Sequence, residues 1–231
     1  MPKLKHECEW LKEVDSISSQ TSGKHLGEAF SRFFKGQNDL PHFKSKGNPV
    51  QSYTTKHTNG NIRIIGDKIK LPKLGNVRFA KSAEVNGRIL NATARSTPSG
   101  KYFVSVLVET DVQELPKTNS VVGIDVGIKD FAILSDRKIY NNPNYFRTLE
   151  KKLARAQRIL SRRKELAIRQ KKTLSEAKNY QKQRLKVACI HEKIKNSRTD
   201  YLQKISTDVI KNHDIIGLED LQVSARLKNR K

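Results

Sequence analysis

Disulfide chemistry has almost no material in this chain. It has two cysteines, Cys8 and Cys189, far apart and with no CxxC pair or nearby Cys/His partner. That spacing excludes a disulfide framework and a zinc site built on them, and fits two reduced thiols in a cytoplasmic protein. Long apolar runs are missing too. The longest falls far short of the roughly 18–20 residues that span a membrane. The opening stretch, Met1-Pro2-Lys3-Leu4-Lys5-His6-Glu7-Cys8, has no apolar centre to serve as a secretory signal. Repeats and low-complexity tracts are absent. Carboxylates are scarce: 23 Asp+Glu against 46 Lys+Arg leave a net charge of +23 and a pI near 10.1. Such a charge attracts a polyanion, and nucleic acid is favoured over an anionic membrane surface.

What is present falls into three regions of an α+β chain. With 231 residues there is room for one large domain or two small ones. Residues 1–47 read as helical from about Lys3 to Phe34, with Leu26, Phe30, Phe33 and Phe34 at helical spacing and expected in the core. Gly36 should end that helix. Residues 48–117 carry short β-type runs, Ile62–Ile65, Lys68–Leu71, Val77–Phe79, Leu90–Thr93 and Tyr102–Val108, which suggest a small β-barrel. Hairpin turns are expected at Asn59-Gly60, Gly66-Asp67 and Ser99-Gly100. Residues 118–231 begin with an apolar hairpin, then a short strand at Arg137–Tyr140. Two long helices are expected over about Tyr145–Leu174 and Glu176–Asn212, and a last strand near His213–Leu221. The order hairpin, helices, strand argues for a sheet whose last strand runs parallel to its first.

The insert 145–212 is strongly one-signed. Between Arg147 and Arg198 stand 18 Lys/Arg and 4 Asp/Glu, supplying +14 of the total. A salt-bridged helix surface would alternate its signs at i,i+4; this one does not, which favours phosphate contact over a merely solvated face.

Asp125 is the most informative single residue. It sits in Val121-Val122-Gly123-Ile124-Asp125-Val126-Gly127, a run that reads as a buried strand, where a carboxylate needs a positive partner. Glu219 occupies the matching place in the last strand. If the two strands are parallel neighbours, the two acids lie a few ångströms apart, and a bound cation relieves their repulsion. Hard oxygen ligands of this kind select Mg²⁺ or Mn²⁺ rather than zinc. Asp130 and Asp136 read as turn residues, and Asp220 should face the opposite side of the sheet from Glu219. His191 reads as a packing or RNA-contact residue rather than a catalytic one, Trp10 as a packing residue, and Phe43 as equally suited to nucleic-acid contact or loop packing.

Gly123-Ile124-Asp125-Val126-Gly127-Ile128-Lys129-Asp130-Phe131-Ala132 resembles the first RuvC motif of the TnpB/OrfB transposon-encoded proteins, relatives of the type V CRISPR effectors. Pro41-His42-Phe43-Lys44-Ser45-Lys46 resembles the family's P-x-F-K-S-K signature, and Leu71–Gly75 and Gly100–Ser105 resemble its barrel strands. Gln157–Arg163 and His191–Arg198 resemble its helical insert, and Leu218–Val223 its second RuvC motif. The motifs occur in the family's order across nearly the whole chain. The resemblance implies an RNA-guided DNA endonuclease with an RNase H-like (RuvC) domain, partnered by DNA and a guide-type RNA and placed with the nucleoid in the cytoplasm. It implies catalytic and metal-binding roles for Asp125 and Glu219. It also implies nucleic-acid contacts for Lys44, Lys46, Arg158, Arg162, Arg163 and Lys164.

Measured against that resemblance, the family's opening strand and helices, its CxxC pairs and its third catalytic Asp are not among these residues. The expectation is a transposase truncated at both ends that binds nucleic acid and cuts poorly or not at all. The alternative is a non-catalytic fragment that competes with or regulates a full-length relative; a second copy or a complementing fragment stays open as a partner. An actin- or hexokinase-type phosphotransferase also opens on a D-x-G hairpin. There the glycine is followed by Ser or Thr, whereas Gly127 is followed by Ile128 and Lys129.

Overall fold

The computed structural model describes residues 2–43, 45, 47–48 and 50–219, which divide into two units, 1–112 and 113–231. In the first, the helical region is broken into α1 (Pro2–Glu7), a 3₁₀ turn at Glu9–Lys12 and α2 (Ser16–Phe34). Asp15 caps α2, accepting from the Ile17 and Ser18 amides at 3.2 Å each. The same carboxylate accepts from Thr55 Oγ1 at 2.5 Å, and Thr55 is fully buried in β1 (Ser52–Lys56). The cap therefore also fastens the helix to a strand. At its other end Gly36, at φ +67°, closes α2 as expected, with its amide on Phe33 O and the Gln37 amide on Arg32 O.

The aromatic stripe of α2 is not in the core. Leu26, Phe30 and Phe34 are exposed, Phe34 at 79%. The buried side of this helix carries Ser18 and Thr21 instead, which lie more than a quarter turn around the axis from Phe30 and Phe34. Helical spacing showed that these residues share a face but not which face meets the sheet.

The strands do not close into a barrel. β2 (Arg63–Ile65), β3 (Lys68–Leu71) and β4 (Gly75–Arg78) form one antiparallel sheet; β1, β5 (Arg88–Ser96) and β6 (Tyr102–Glu109) form another in the order β1-β5-β6. Ile62, Ile69, Leu71 and Ala92 form the core between them, with Val104 and Val106 packed against it. Gly66 and Gly100, both at positive φ, serve the β2–β3 and β5–β6 hairpins as expected. Asn59 and Gly60 also have positive φ, but the turn they make leads from β1 in one sheet to β2 in the other. It is a turn without a hairpin, and that switch of sheets prevents closure.

In the second unit, β7 (Val121–Asp125), β8 (Asp130–Leu134) and β9 (Ile139–Asn141) form an antiparallel meander. α3 (Tyr145–Arg169) and α4 (Lys178–Asn212) follow, and β10 (Ile215–Leu218) returns to pair parallel with β7. The sheet order is β10-β7-β8-β9, so the parallel arrangement read from the order of elements is present. α4 serves two partners. Val187 and Ile194 pack with Leu153 and Ala156 of α3, while Ile205 and Val209 cover Val122 and Leu134 of the sheet. Leu202, three positions before Ile205, is half exposed.

One buried polar residue fixes the helical hairpin. Gln183 is 4% exposed, donates Nε2 to Ala156 O at 2.9 Å and accepts from Arg163 Nη1 at 3.4 Å. Replacing it leaves a buried carbonyl without that donor. Gln183→Ala is expected to cost about 1–3 kcal/mol, read as a lower urea midpoint by far-ultraviolet circular dichroism. A midpoint unchanged from the parent chain would show that the bond contributes nothing.

Candidate metal pair and nucleic-acid interface

The β7–β10 ladder places the two sequence-predicted acids together. Ile215, Ile216, Gly217 and Leu218 face Val121, Val122, Gly123 and Ile124 in turn. The next residue on each chain is Glu219 and Asp125. Neighbouring strands lie about 4.8 Å apart, and each of the two residues directly follows a paired position at the C-terminal ends of two parallel strands. Ile124 and Ile216 belong to the cluster under α4; Asp125 and Glu219 fall on the opposite phase, with Gly123 and Gly217.

Asp125 is exposed, not buried. The run Val121–Ile124 is half-buried: Val122 and Ile124 turn toward α4 while Val121 is 66% exposed. The burial expected of a core carboxylate is therefore not found at Asp125. Among the described residues no group of three His, Cys, Asp or Glu could hold a metal ion. Asp220, Leu221 and the rest of the second resemblance motif lie outside the described residues.

The ladder is clamped at its other end by residues that sequence reasoning missed. Asp214 accepts from the Thr118 amide at 3.0 and 3.1 Å and from the Asn119 amide at 2.6 Å. Ser120 Oγ and His213 Nδ1 lie 2.8 Å apart, and the Asp214 amide donates to Ser120 O. These contacts set the start of β10 beside the start of β7, and so set where Glu219 falls. Asp208 makes a second tie: it accepts from Lys138 Nζ at 2.5 Å and from Tyr140 Oη, joining α4 to β9 and the turn before it. Partners 68 to 96 positions apart leave no local signature, although an acid among the apolar positions Ile205 and Val209 marks Asp208 as placed for a purpose.

The cations divide by face. Arg147, Lys151, Arg155, Arg158, Arg162 and Arg169 follow one another at three-, four- and seven-residue intervals, all exposed. They form a line opposite the stripe Leu149, Leu153, Ala156, Leu160, interrupted by Glu165. The line runs about 33 Å at 1.5 Å per residue, close to the roughly 34–36 Å of one duplex turn. Lys164 is exposed too, but it lies more than a third of a turn around the axis from the centre of that line. Arg163 is half-buried and donates to Asn179 O at 2.7 Å as well as to Gln183, so it fastens α3 to the loop and start of α4. Lys44 and Lys46 lie outside the described residues. Among those described, no helix is long and apolar enough to cross a membrane.

The clamp has a pH signature. The Thr118 amide, then the Asn119 amide, hold the Asp214 carboxyl below its ordinary value; the Lys138 ammonium and then the Tyr140 hydroxyl do the same for Asp208. A depressed folded pKa contributes stability above the unfolded value, about 3.9, and loses it as pH falls through the folded value. Asp214→Asn is therefore expected to lower the thermal midpoint at neutral pH and to flatten its decline below about pH 4. Identical midpoint–pH curves for the two chains would remove Asp214 from this role.

Comparison with known proteins gives the chain its family. The family model for OrfB proteins of the IS605 type, described as "Probable transposase", matches residues 103–230. The chain is 36% identical over 225 residues to a protein of Escherichia coli K12 named "Putative RNA-guided DNA endonuclease InsQ", covering 96% of this chain and 52% of that protein. It is 30% identical over 232 residues to a "Putative RNA-guided DNA endonuclease" of Streptomyces pristinaespiralis, covering 99% and 55%. The chain thus spans about half the length of these curated relatives. A match over more than half of these residues, running through β7, the helical hairpin and β10, places the chain in the OrfB (TnpB) family of transposases.

Proposed function

We propose that this chain is a nucleic-acid-binding protein of the RNA-guided endonuclease type, serving DNA transposition and recombination. The outward line of cations on α3 holds phosphates of a guide RNA or of DNA, and Asp125 with Glu219 forms part of a site for Mg²⁺ or Mn²⁺ in an RNase H-like (RuvC) domain. The observation that carries this reading is the register of β10 on β7, which brings two acids 94 positions apart to adjacent strand ends. Their donor set, two exposed carboxylates, suits a hard divalent ion. Such an ion, when bound, activates water and stabilises a leaving oxygen in phosphodiester hydrolysis.

Two carboxylates with no third ligand among the described residues hold such an ion weakly. The reading is accordingly that the chain by itself binds without cutting. The same observation favours the second reading, a fragment that competes with a full-length relative for its guide RNA in the bacterial nucleoid.

Binding is tested by fluorescence anisotropy with labelled RNA and duplex DNA over a range of salt. Arg155, Arg158 and Arg162 replaced together by Ala should weaken binding and lower the slope of log K against log salt by about 2–3, near 0.9 for each phosphate left without its cation. Asp125→Asn and Glu219→Gln should leave both unchanged. An unaltered slope in the triple variant would remove the hairpin from the interface. In Mg²⁺ a supercoiled plasmid should remain intact; nicking that disappears in Asp125→Ala would overturn the binding-only reading.

A further inference from the structure

The aromatic face of α2 takes no part in the function proposed above. Asp15 and Thr55 hold the N-terminal end of this helix on β1, and from Ser22 to Phe34 no residue of it is buried. At about 100° per residue, Gly23, Gly27, Phe30 and Phe34 fall within about 60° of one another, in a line roughly 16 Å long. Leu26, half exposed, and Phe33 border that line on one side. Lys24, Glu28 and Arg32 lie a quarter turn or more from its centre. In a chain that is 30% charged, the line and its border carry no charge, as the centre of a protein-docking surface requires.

The two glycines have no reason inside the chain. Glycine within a helix is destabilising relative to alanine, yet a Cβ added at Gly23 or Gly27 would meet nothing within 4 Å. Bare backbone at these positions admits a close approach from outside. Their spacing identifies what approaches. Positions 23 and 34, and positions 27 and 30, are symmetric about one point, midway between Glu28 and Ala29. A second α2 laid antiparallel on a two-fold axis through that point sets Phe34 and Phe30 of each copy over Gly23 and Gly27 of the other. Each ring then has its hollow on both copies, which is the self-complementarity of a two-fold interface. A nucleic-acid strand finds no cation on this line, and a lipid surface gains nothing from its glycines.

The area suits a reversible pair. A whole phenylalanine presents about 200 Å², and Phe30 and Phe34 are 37% and 79% exposed. With Leu26, Phe33 and the backbone at the glycines, each copy has roughly 450 Å² to bury, or about 900 Å² for the pair. That is below the roughly 1,200–2,000 Å² of stable complexes and within the range of transient ones.

We propose that α2 is a dimerisation helix, covered by a second copy of this chain packed antiparallel through Gly23, Gly27, Phe30 and Phe34. Each copy brings a charge of +23, so repulsion opposes the pair at low salt and screening favours it. Two joined basic chains also grip one polyanion with the avidity of two sites.

The test is sedimentation equilibrium of the full chain, freed of nucleic acid, over a series reaching a few hundred micromolar. A monomer–dimer equilibrium with a midpoint on the order of 100 µM is expected, tighter in about 0.6 M than in about 0.15 M salt. Gly27→Leu fills a hollow while improving helix propensity; it should weaken the dimer about tenfold or more without lowering the thermal midpoint. Phe34→Ser, which removes an exposed ring, should weaken it about tenfold. Chains carrying Gly23→Cys and Phe34→Cys separately, each with Cys8→Ser and Cys189→Ser, should cross-link to one another and not to themselves when mixed and oxidised. A monomer at every concentration, a dimer indifferent to both substitutions, a dimer that salt dissolves, or cross-links of like with like would each overturn the proposal. Binding to phosphatidylglycerol vesicles that Phe34→Ser abolishes would assign the face to a membrane surface and overturn it too.

Discussion

Parallel pairing of β10 with β7 is the contact on which the second unit depends. It joins residues more than ninety positions apart across a helical insert, and it decides which side chains of both strands meet α4. A slip by one residue would turn Ile216 and Leu218 to the other face and separate Glu219 from Asp125. The Asp214 carboxylate on the Thr118 and Asn119 amides opposes that slip from the far end of the ladder. The placement of Asp125 and Glu219 at one end therefore rests on ordinary backbone hydrogen bonding at the other.

α4 makes the basic hairpin and the sheet parts of one unit. Its N-terminal half is occupied with α3 through Val187 and Ile194, its C-terminal half with the sheet through Ile205 and Val209. With those faces taken up by apolar packing and by Gln183, the arginines of α3 are left on the outer side. The separation of core stripe from cation line on α3 comes directly from the helical period, and it presents positive charge on a stiff rod rather than on a mobile tail.

The parts of this structure legible in the sequence are those with strong local periodicity. The helical patterns marked α3 and α4, Gly66 and Gly100 marked two hairpins, and the apolar runs marked β7, β8 and β10. The parallel return followed from element order. Other features depended on partners that no local pattern reveals. The run at Val121–Asp125 looked buried because its outward positions hold Val121 and Gly123, so the exposure of Asp125 was hidden. The stripe at Leu26, Phe30 and Phe34 resembled a core face, yet Ser18 and Thr21 fill that role because Asp15 and Thr55 pull the other side of α2 onto β1. The closed barrel failed at Asn59-Gly60, where a turn of hairpin type connects two different sheets. Gln183, Asp208 and Asp214 passed as ordinary polar residues, since the partners that matter lie 20 to 96 positions away.

Oxidative cross-linking tests the convergence of the two acids most directly. Asp125→Cys with Glu219→Cys, in a chain with Cys8→Ser and Cys189→Ser, places two thiols on adjacent in-register strands about 4.8 Å apart, within the roughly 4.4–6.8 Å that a disulfide bridges. The account predicts that mild oxidation joins them nearly completely, giving a faster-migrating species that reductant reverses. Thiols that stay free under conditions that oxidise a cross-strand control pair, such as Thr54→Cys with Thr93→Cys on the paired strands β1 and β5, would contradict it.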